Sequence, residues 1–339
     1  MKSLIKIYLF IFFFTLCISG KAQHYQFSQF YAAQTYLNPA FTGANACSRL
    51  TMNYRNQWSA IPGGFTTYQV TYDHFVKSIN SGIGLQFFND KAGPGNLKTT
   101  QFSALYAYQL QFNKKLAARA GFSAGGVQRS IDYSALVFGD QIARGGAANS
   151  VEDVSVIRTT YFDASIGMLF YTSQSWGGFA INHITKPDQS LLTESSKLPG
   201  EFKLHGGHKF LLEGDDSQSN KKGAEKNSIS VVGNFKIQKK FTQMDIGFYY
   251  SKNYFVIGAW YRGIPLQKPY PWYRNNDAIV ILVGVSADKI NIGYSYDYTV
   301  SKLTNISSNG THEVSLSYQF CNNKKKKKKK SILISCPKF

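Results

Sequence analysis

INIGYSYDYTV (Ile290–Val300) and HEVSLSYQF (His312–Phe320) decide how this chain is read. In the first, Ile290, Ile292, Tyr294, Tyr296 and Tyr298 share one face of an extended backbone, and Asn291, Gly293, Ser295, Asp297 and Thr299 share the other. In the second, Val314, Leu316, Tyr318 and Phe320 oppose Glu313, Ser315, Ser317 and Gln319. Successive side chains of a strand point to opposite sides, so each stretch is a β-strand with one apolar and one polar face.

The same pattern recurs upstream. Thr242, Met244, Ile246, Phe248 and Tyr250 stand against Gln243, Asp245, Gly247, Tyr249 and Ser251; Phe162, Ala164, Ile166, Met168 and Phe170 stand against Tyr161, Asp163, Ser165, Gly167 and Tyr171. Polar faces built from Gly, Ser, Asn and Asp suit a polar interior inside a greasy exterior. One solvated face of a soluble sheet would alternate in the same way. The size of the chain and the absence of a domain boundary favour the barrel, as do Tyr and Phe placed near strand ends like an interfacial girdle.

Strand candidates lie near 47–58, 65–76, 79–89, 98–110, 115–128, 160–172, 175–184, 201–213, 227–238, 241–251, 253–263, 277–288, 289–300 and 312–321. The expected fold is all-β, a transmembrane antiparallel barrel of about 14 strands. The fifth, seventh and eighth carry the weakest pattern. Links after even strands should be tight and those after odd strands longer. GDDSQSNKKGAEK (Gly214–Lys226) breaks that rule, being long after the eighth strand.

Composition agrees, with 22 Tyr, 26 Phe and 29 Gly in 339 residues at a mean hydropathy of −0.23. Lys2 and Lys6 precede the apolar run IYLFIFFFTLCIS (Ile7–Ser19), and Gly20, Lys21 and Ala22 follow, which predicts a signal peptide over 1–22 cleaved before Gln23. Leu16 before Cys17 is the wrong residue for a lipoprotein signal. The longest remaining apolar runs, such as AIVILVGV (Ala278–Val285), are far too short for a spanning helix. The expected division is 1–22 signal peptide, 23–46 periplasmic or lumen-facing segment, 47–321 barrel and 322–339 Lys-rich tail.

The formal charge of +19 includes three leader lysines and eight tail lysines, and removing them leaves +8 for the body. Excess charge collected in the tail of an exported chain argues against a nucleic-acid partner.

The chain resembles the PorP/SprF family of outer-membrane proteins of type IX secretion and gliding motility. The resemblance rests on QFYAAQTYLNPAFTG (Gln29–Gly43), RNQW (Arg55–Trp58), DKAGPG (Asp90–Gly95), the closing SYDYTVSKL (Ser295–Leu303) with GTHEVSLSYQF (Gly310–Phe320), and the terminal CPKF (Cys336–Phe339). It implies an outer-membrane barrel without a catalytic role that assists export or surface attachment of secreted proteins. The implied partners are secreted surface proteins of type IX secretion, periplasmic components of the secretion machine and outer-membrane lipid.

No sequence constellation calls for a cofactor, and the motifs G-x-S-x-G, H-E-x-x-H and the phosphate-binding Gly loop are missing. His205 and His208 of HGGH sit at i and i+3, so a strand sends them to opposite faces and they cannot share a metal ion. Gly82, Gly84, Gly121, Gly125 and Gly126 are expected to bend strands.

An even-stranded barrel brings both termini to one membrane face, taken here as periplasmic. Cys47 and Cys321 would then meet at the seam between first and last strands, where a disulfide is one arrangement. A Cys321–Cys336 bond and two reduced thiols are the others. Lys324, Lys325, Lys326, Lys327, Lys328, Lys329 and Lys330 repel one another and cannot fold alone. They form either a solvated tail or a tether for an acidic periplasmic partner, with the apolar SILIS (Ser331–Ser335) available to add a strand to that partner. The rival to the secretion reading is a diffusion channel or small-solute transporter. An open lumen with charged rings would favour the channel, and a lumen blocked by aromatic residues or by His24–Gly43 would favour the scaffold.

Overall fold

The computed structural model describes residues 25–320 apart from 46, 147–149, 151–155, 193, 213–224, 265–274 and 288. The signal peptide, Cys321, Cys336 and the lysine tail lie outside the described residues.

Fourteen antiparallel strands follow one another around a closed barrel. They are β1 (Ser48–Gln57), β2 (Phe65–Val76), β3 (Ser81–Ala92), β4 (Leu97–Gln111), β5 (Ala117–Asp132), β6 (Val156–Tyr171), β7 (Ser175–Asn182), β8 (Glu201–Leu211), β9 (Glu225–Gln238), β10 (Phe241–Asn253), β11 (Phe255–Ile264), β12 (Asn275–Ala287), β13 (Ile290–Thr299) and β14 (Thr311–Phe320). The seam is an unbroken ladder from Ser48 opposite Phe320 to Gln57 opposite Thr311. Closure leaves no sheet edge at the seam, which a spanning sheet requires because lipid offers its backbone no hydrogen bonds.

The alternation in the sequence becomes two wall faces. On β1, Met52 and Tyr54 are exposed while Thr51, Asn53 and Arg55 are buried. On β12, Ile279, Ile281, Val283 and Val285 are exposed while Val280 and Leu282 are buried. Outward apolar side chains around the ring, including Phe87, Phe102, Phe162, Phe248 and Ile292, make the surface that faces lipid acyl chains. Inward polar side chains are buried too, among them Thr71, Asp73, Ser103, Ser295 and Ser315.

β8 ends at Leu211 and β9 starts at Glu225, so their long connection leaves the end of the barrel that carries Ser48 and Phe320. That end is called the seam-terminus end below, and the opposite one the loop end. The β9–β10 link at the loop end is the short one, with Lys239 in a left-handed turn conformation (φ 50°).

Candidate functional site: the occupied lumen

The inward face is buried because the chain ahead of β1 fills the barrel. Residues 25–44 contain a one-turn helix, α1 (Gln34–Leu37), and a 3₁₀ turn, Pro39–Phe41. Ser28, Gln29, Ala33, Asn38, Ala40, Phe41 and Thr42 are all fully buried. Asn38 anchors the 3₁₀ turn, its side-chain oxygen accepting from Ala40 N at 2.9 Å. Its amide nitrogen donates outward to the carbonyls of Met168 on β6 and Phe179 on β7, at 2.9 and 3.0 Å.

At the seam-terminus end the wall grips the segment's backbone. Asp73 accepts from Gly43 N at 2.8 Å and from Arg49 Nε at 2.9 Å, and Arg49 also donates to Gln34. Arg119, fully buried, donates to the carbonyls of Ala40 (2.9 Å) and Thr42. Two wall glycines make this approach possible. A Cβ at Gly121 would lie 2.2 Å from Ala40 N, and one at Gly82 would lie 1.9 Å from Thr42 O. These glycines admit another backbone, which is a different role from the strand bending expected of them.

Toward the loop end the contacts become ionic. Glu313 on β14 accepts from the backbone N–H groups of Ser28 and Gln29 at 2.6 and 3.0 Å. Ser28 Oγ donates to Asp297, and Arg262 bridges Ser28 Oγ (3.0 Å), Asp297 (2.9 Å) and Asp245 (2.8 Å). Arg55 lies 3.6 Å from both Asp297 and Glu313. A second group joins Lys203 and Lys236 to Glu201 at 3.0 and 3.8 Å. Lys203 also donates to the carbonyl of Tyr36 and sits 3.7 Å from the centre of its ring, while Lys236 donates to Gln26. Buried charges survive only when paired and hydrogen-bonded in this way.

Aromatic packing fills the remaining space. Tyr25, Phe27 and Tyr36 cluster with Phe88 of β3. Phe30 packs on Trp260 of β11, and Tyr31 meets Trp176 of β7, whose indole N–H donates to its hydroxyl at 2.8 Å. The segment is thus tied to the seam strands and to the far wall alike. Its chemistry is that of a seated plug: carboxylates and guanidinium groups act on the segment's own backbone, and each side chain so used is withdrawn from solvent. The polar inner face is a packing surface here, where the sequence suggested a water-lined one.

The sequence model of one family, described as type IX secretion system membrane protein PorP/SprF, matches residues 19–318. The chain belongs to that family. No curated protein matches the chain. Among solved structures, a Pseudomonas aeruginosa FadL homologue is similar at 11% identity and TM-score 0.45, over 86% of this chain and 94% of that one. The Pseudomonas putida toluene transporter TodX is similar at 12% identity and TM-score 0.40, over 88% and 94%. BamA from Haemophilus ducreyi lacking POTRA domains 1–3 is similar at 7% identity and TM-score 0.40, over 81% and 71%.

In this family member the two histidines of HGGH part company. His205 is buried against Asn38 of the plug (3.1 Å), while His208 contacts Ser175 (2.7 Å) and Phe210. Cys47 is disulfide-bonded, with its partner outside the described residues.

The loop end holds a feature that the periodicity did not signal. β6 pairs with β5 from Val156 to Tyr171, but with β7 only from Ile166 to Tyr171. Ile184 N donates to Ala164 O at 3.0 Å and Thr185 Oγ1 to Phe162 O at 3.3 Å, so these carbonyls point away from β5. By alternation the backbone groups of Arg158 and Thr160 point the same way, toward a side on which no described residue pairs with them.

Proposed function

We propose that this protein is a non-conducting outer-membrane accessory of the type IX secretion and gliding machinery, which assists export or surface attachment of secreted proteins by binding them. The observation that supports this reading is the seated plug. A diffusion pore needs a continuous polar path, and here the polar residues that would line one are spent on residues 25–44. Such a barrel acts through its rims.

The loop end faces outward, and the β6 edge at Arg158–Thr160, unpaired among the described residues, receives an extended segment of the secreted protein as an added strand, main-chain hydrogen bonds supplying the contact. The start of β1 and the end of β14 both face the periplasm, where Lys324–Lys330 tether an acidic component of the secretion machine. Cys321 is the partner of Cys47, since in sequence each stands one position beyond the last pair of the seam ladder, Ser48 opposite Phe320. The chain carries out no catalysis.

Crosslinked affinity capture from outer membranes, with the intact chain and one truncated after Asn323, tests this directly. Co-purification of a large surface protein with both forms, and of periplasmic components with the intact form alone, is expected. Recovery of neither, together with steady single-channel conductance of the intact protein, would replace this reading with the channel.

A further inference from the structure

The outer wall of β3–β6 is layered in a way that the rest of the barrel is not. Register places Phe87, Phe102, Gly126 and Phe162 side by side across the four strands, all on the outward face. Two residues further toward the loop end, the outward positions are Asn89, Thr100, Gln128 and Thr160, with Asn89 donating to Thr100 at 2.7 Å. Two residues further again stand Lys91, Lys98, Ser130 and Arg158.

Lys91, Lys98 and Arg158 are exposed, and none has an ion pair or side-chain hydrogen bond to a described residue. In the lumen, by contrast, Arg49, Arg55, Arg262, Lys203 and Lys236 each stand against a carboxylate. Among the described residues, Asp132 continues the outward face of β5 beyond Ser130, and it accepts from Ser134 N (3.1 Å) and Ser134 Oγ (2.5 Å). On β1, β2, β13 and β14 the outward positions near the same end are Asn56, Thr66, Tyr298 and His312, so the cationic row does not continue across the seam.

Spacing fixes what this row can meet. Adjacent strands lie about 4.8 Å apart, so the three cations span roughly 14 Å of rim, with the hydroxyl of Ser130 between two of them. The row lies four residues beyond the phenylalanines, about 13 Å along strands that tilt in the membrane. The change from phenylalanine to amide and hydroxyl side chains marks the edge of the hydrocarbon, so the cations stand at headgroup depth, with their apolar stems able to lie back along the wall. Cations at that depth, without a partner among the described residues, are attracted by lipid phosphate, and the amide and hydroxyl row beneath them suits sugar or glycerol oxygens.

We infer that Lys91, Lys98 and Arg158, with Ser130 and the Asn89–Thr160 row below, form a binding site for the phosphate-bearing headgroup of a glycolipid in the outer leaflet. This rests on the proposed outer-membrane placement with the loop end outward. The occupant is a lipid because the site opens onto the acyl-facing wall; a free anion would gain nothing from the aromatic row. A fixed lipid here would also hold the barrel at one rotational setting, with the open edge of β6 beside it.

The test uses the purified full chain in detergent, mixed with diphosphoryl lipid A or with the same lipid after enzymatic dephosphorylation, and reads retained lipid by native mass spectrometry. Intact protein is expected to retain the phosphorylated form. The triple variant Lys91→Ala, Lys98→Ala, Arg158→Ala should lose at least about tenfold in retention, given the roughly fivefold that one cation contributes at a headgroup surface. A control triple at the other end of the barrel, Lys114→Ala, Lys115→Ala, Lys289→Ala, should retain lipid as the intact protein does. Equal retention of the two lipids, equal loss in both triples, or full displacement by millimolar inorganic phosphate would each overturn the site. Labelling of Ser307→Cys on whole cells separately checks that the loop end faces outward, so a failed placement and a failed site give different results.

Discussion

The inner and outer faces of the same strands obey one periodicity and different physics. Ile281 and Leu282 are neighbours on β12; Ile281 is 54% exposed toward lipid and Leu282 is fully buried in the lumen. Outside, a side chain needs only to be apolar and of moderate size, because lipid adapts to it. Inside, Glu313 must meet two particular N–H groups, and Gly121 must have no side chain at all. The outer face is therefore specified by class and the inner face by partner.

Substitutions should separate the two faces by size of effect. Glu313→Ala, which takes one of two carboxylates from Arg55 and leaves two plug N–H groups without acceptors, is expected to lower stability by about 3–5 kcal/mol. The check is denaturant unfolding of the barrel in detergent micelles. Ile281→Arg on the lipid face should cost about 2–4 kcal/mol in vesicles, where the apolar slab is real, and much less in micelles. Equal losses in both media would break the distinction between the faces. Gly121→Val should cost about 1–3 kcal/mol by driving Cβ into the plug backbone, and it should also produce measurable ion conductance in planar bilayers. A destabilised but still silent Gly121→Val barrel would show that the plug stays seated without its cradle. Asn80→Gly is expected to change stability by only a few tenths of a kcal/mol. Asn80 holds a left-handed turn (φ 49°) outside both faces, and glycine adopts that conformation freely. A two-temperature unfolding series would resolve it.

The contrast also explains what the sequence disclosed. β10, β13 and β14 were legible residue by residue, because their outward faces carry Ile, Phe, Tyr and Leu against short polar residues. β5, β7 and β8 carried the weakest pattern, and the reason lies in the lumen. Gly121, Gly178 and Gly207 interrupt these strands, and each is pressed by another group: the Pro39–Ala40 backbone, Asn38, and the Trp176 ring. The Gly121 and Gly178 contacts seat the plug, and Gly207 makes room for a wall tryptophan that packs on Tyr31, so the glycines these contacts require blur the alternation of the strands. The charges told the same partial story. Arg55, Asp297 and Glu313 could be placed on the inward face from their neighbours, but only register brought them to one height. Lys91, Lys98 and Arg158 lie 67 positions apart in sequence at the extremes, and nothing local links them.

The route of the plug has a consequence for the order of assembly. Its first described residue, Tyr25, rests against Phe88 in the loop-end half of the lumen, while Gly43 reaches Asp73 at the opposite end, just ahead of β1. Residues 25–44 run lengthwise through a ring whose final strand comes last in the sequence. Ser28 and Gln29 hydrogen-bond to that final strand through Glu313 and Ser315, so the strand that closes the seam also completes the plug's contacts. A ring that shut early would leave Glu313 without the N–H groups of Ser28 and Gln29, and Asp297 without the Ser28 hydroxyl. The barrel is cast around its own beginning.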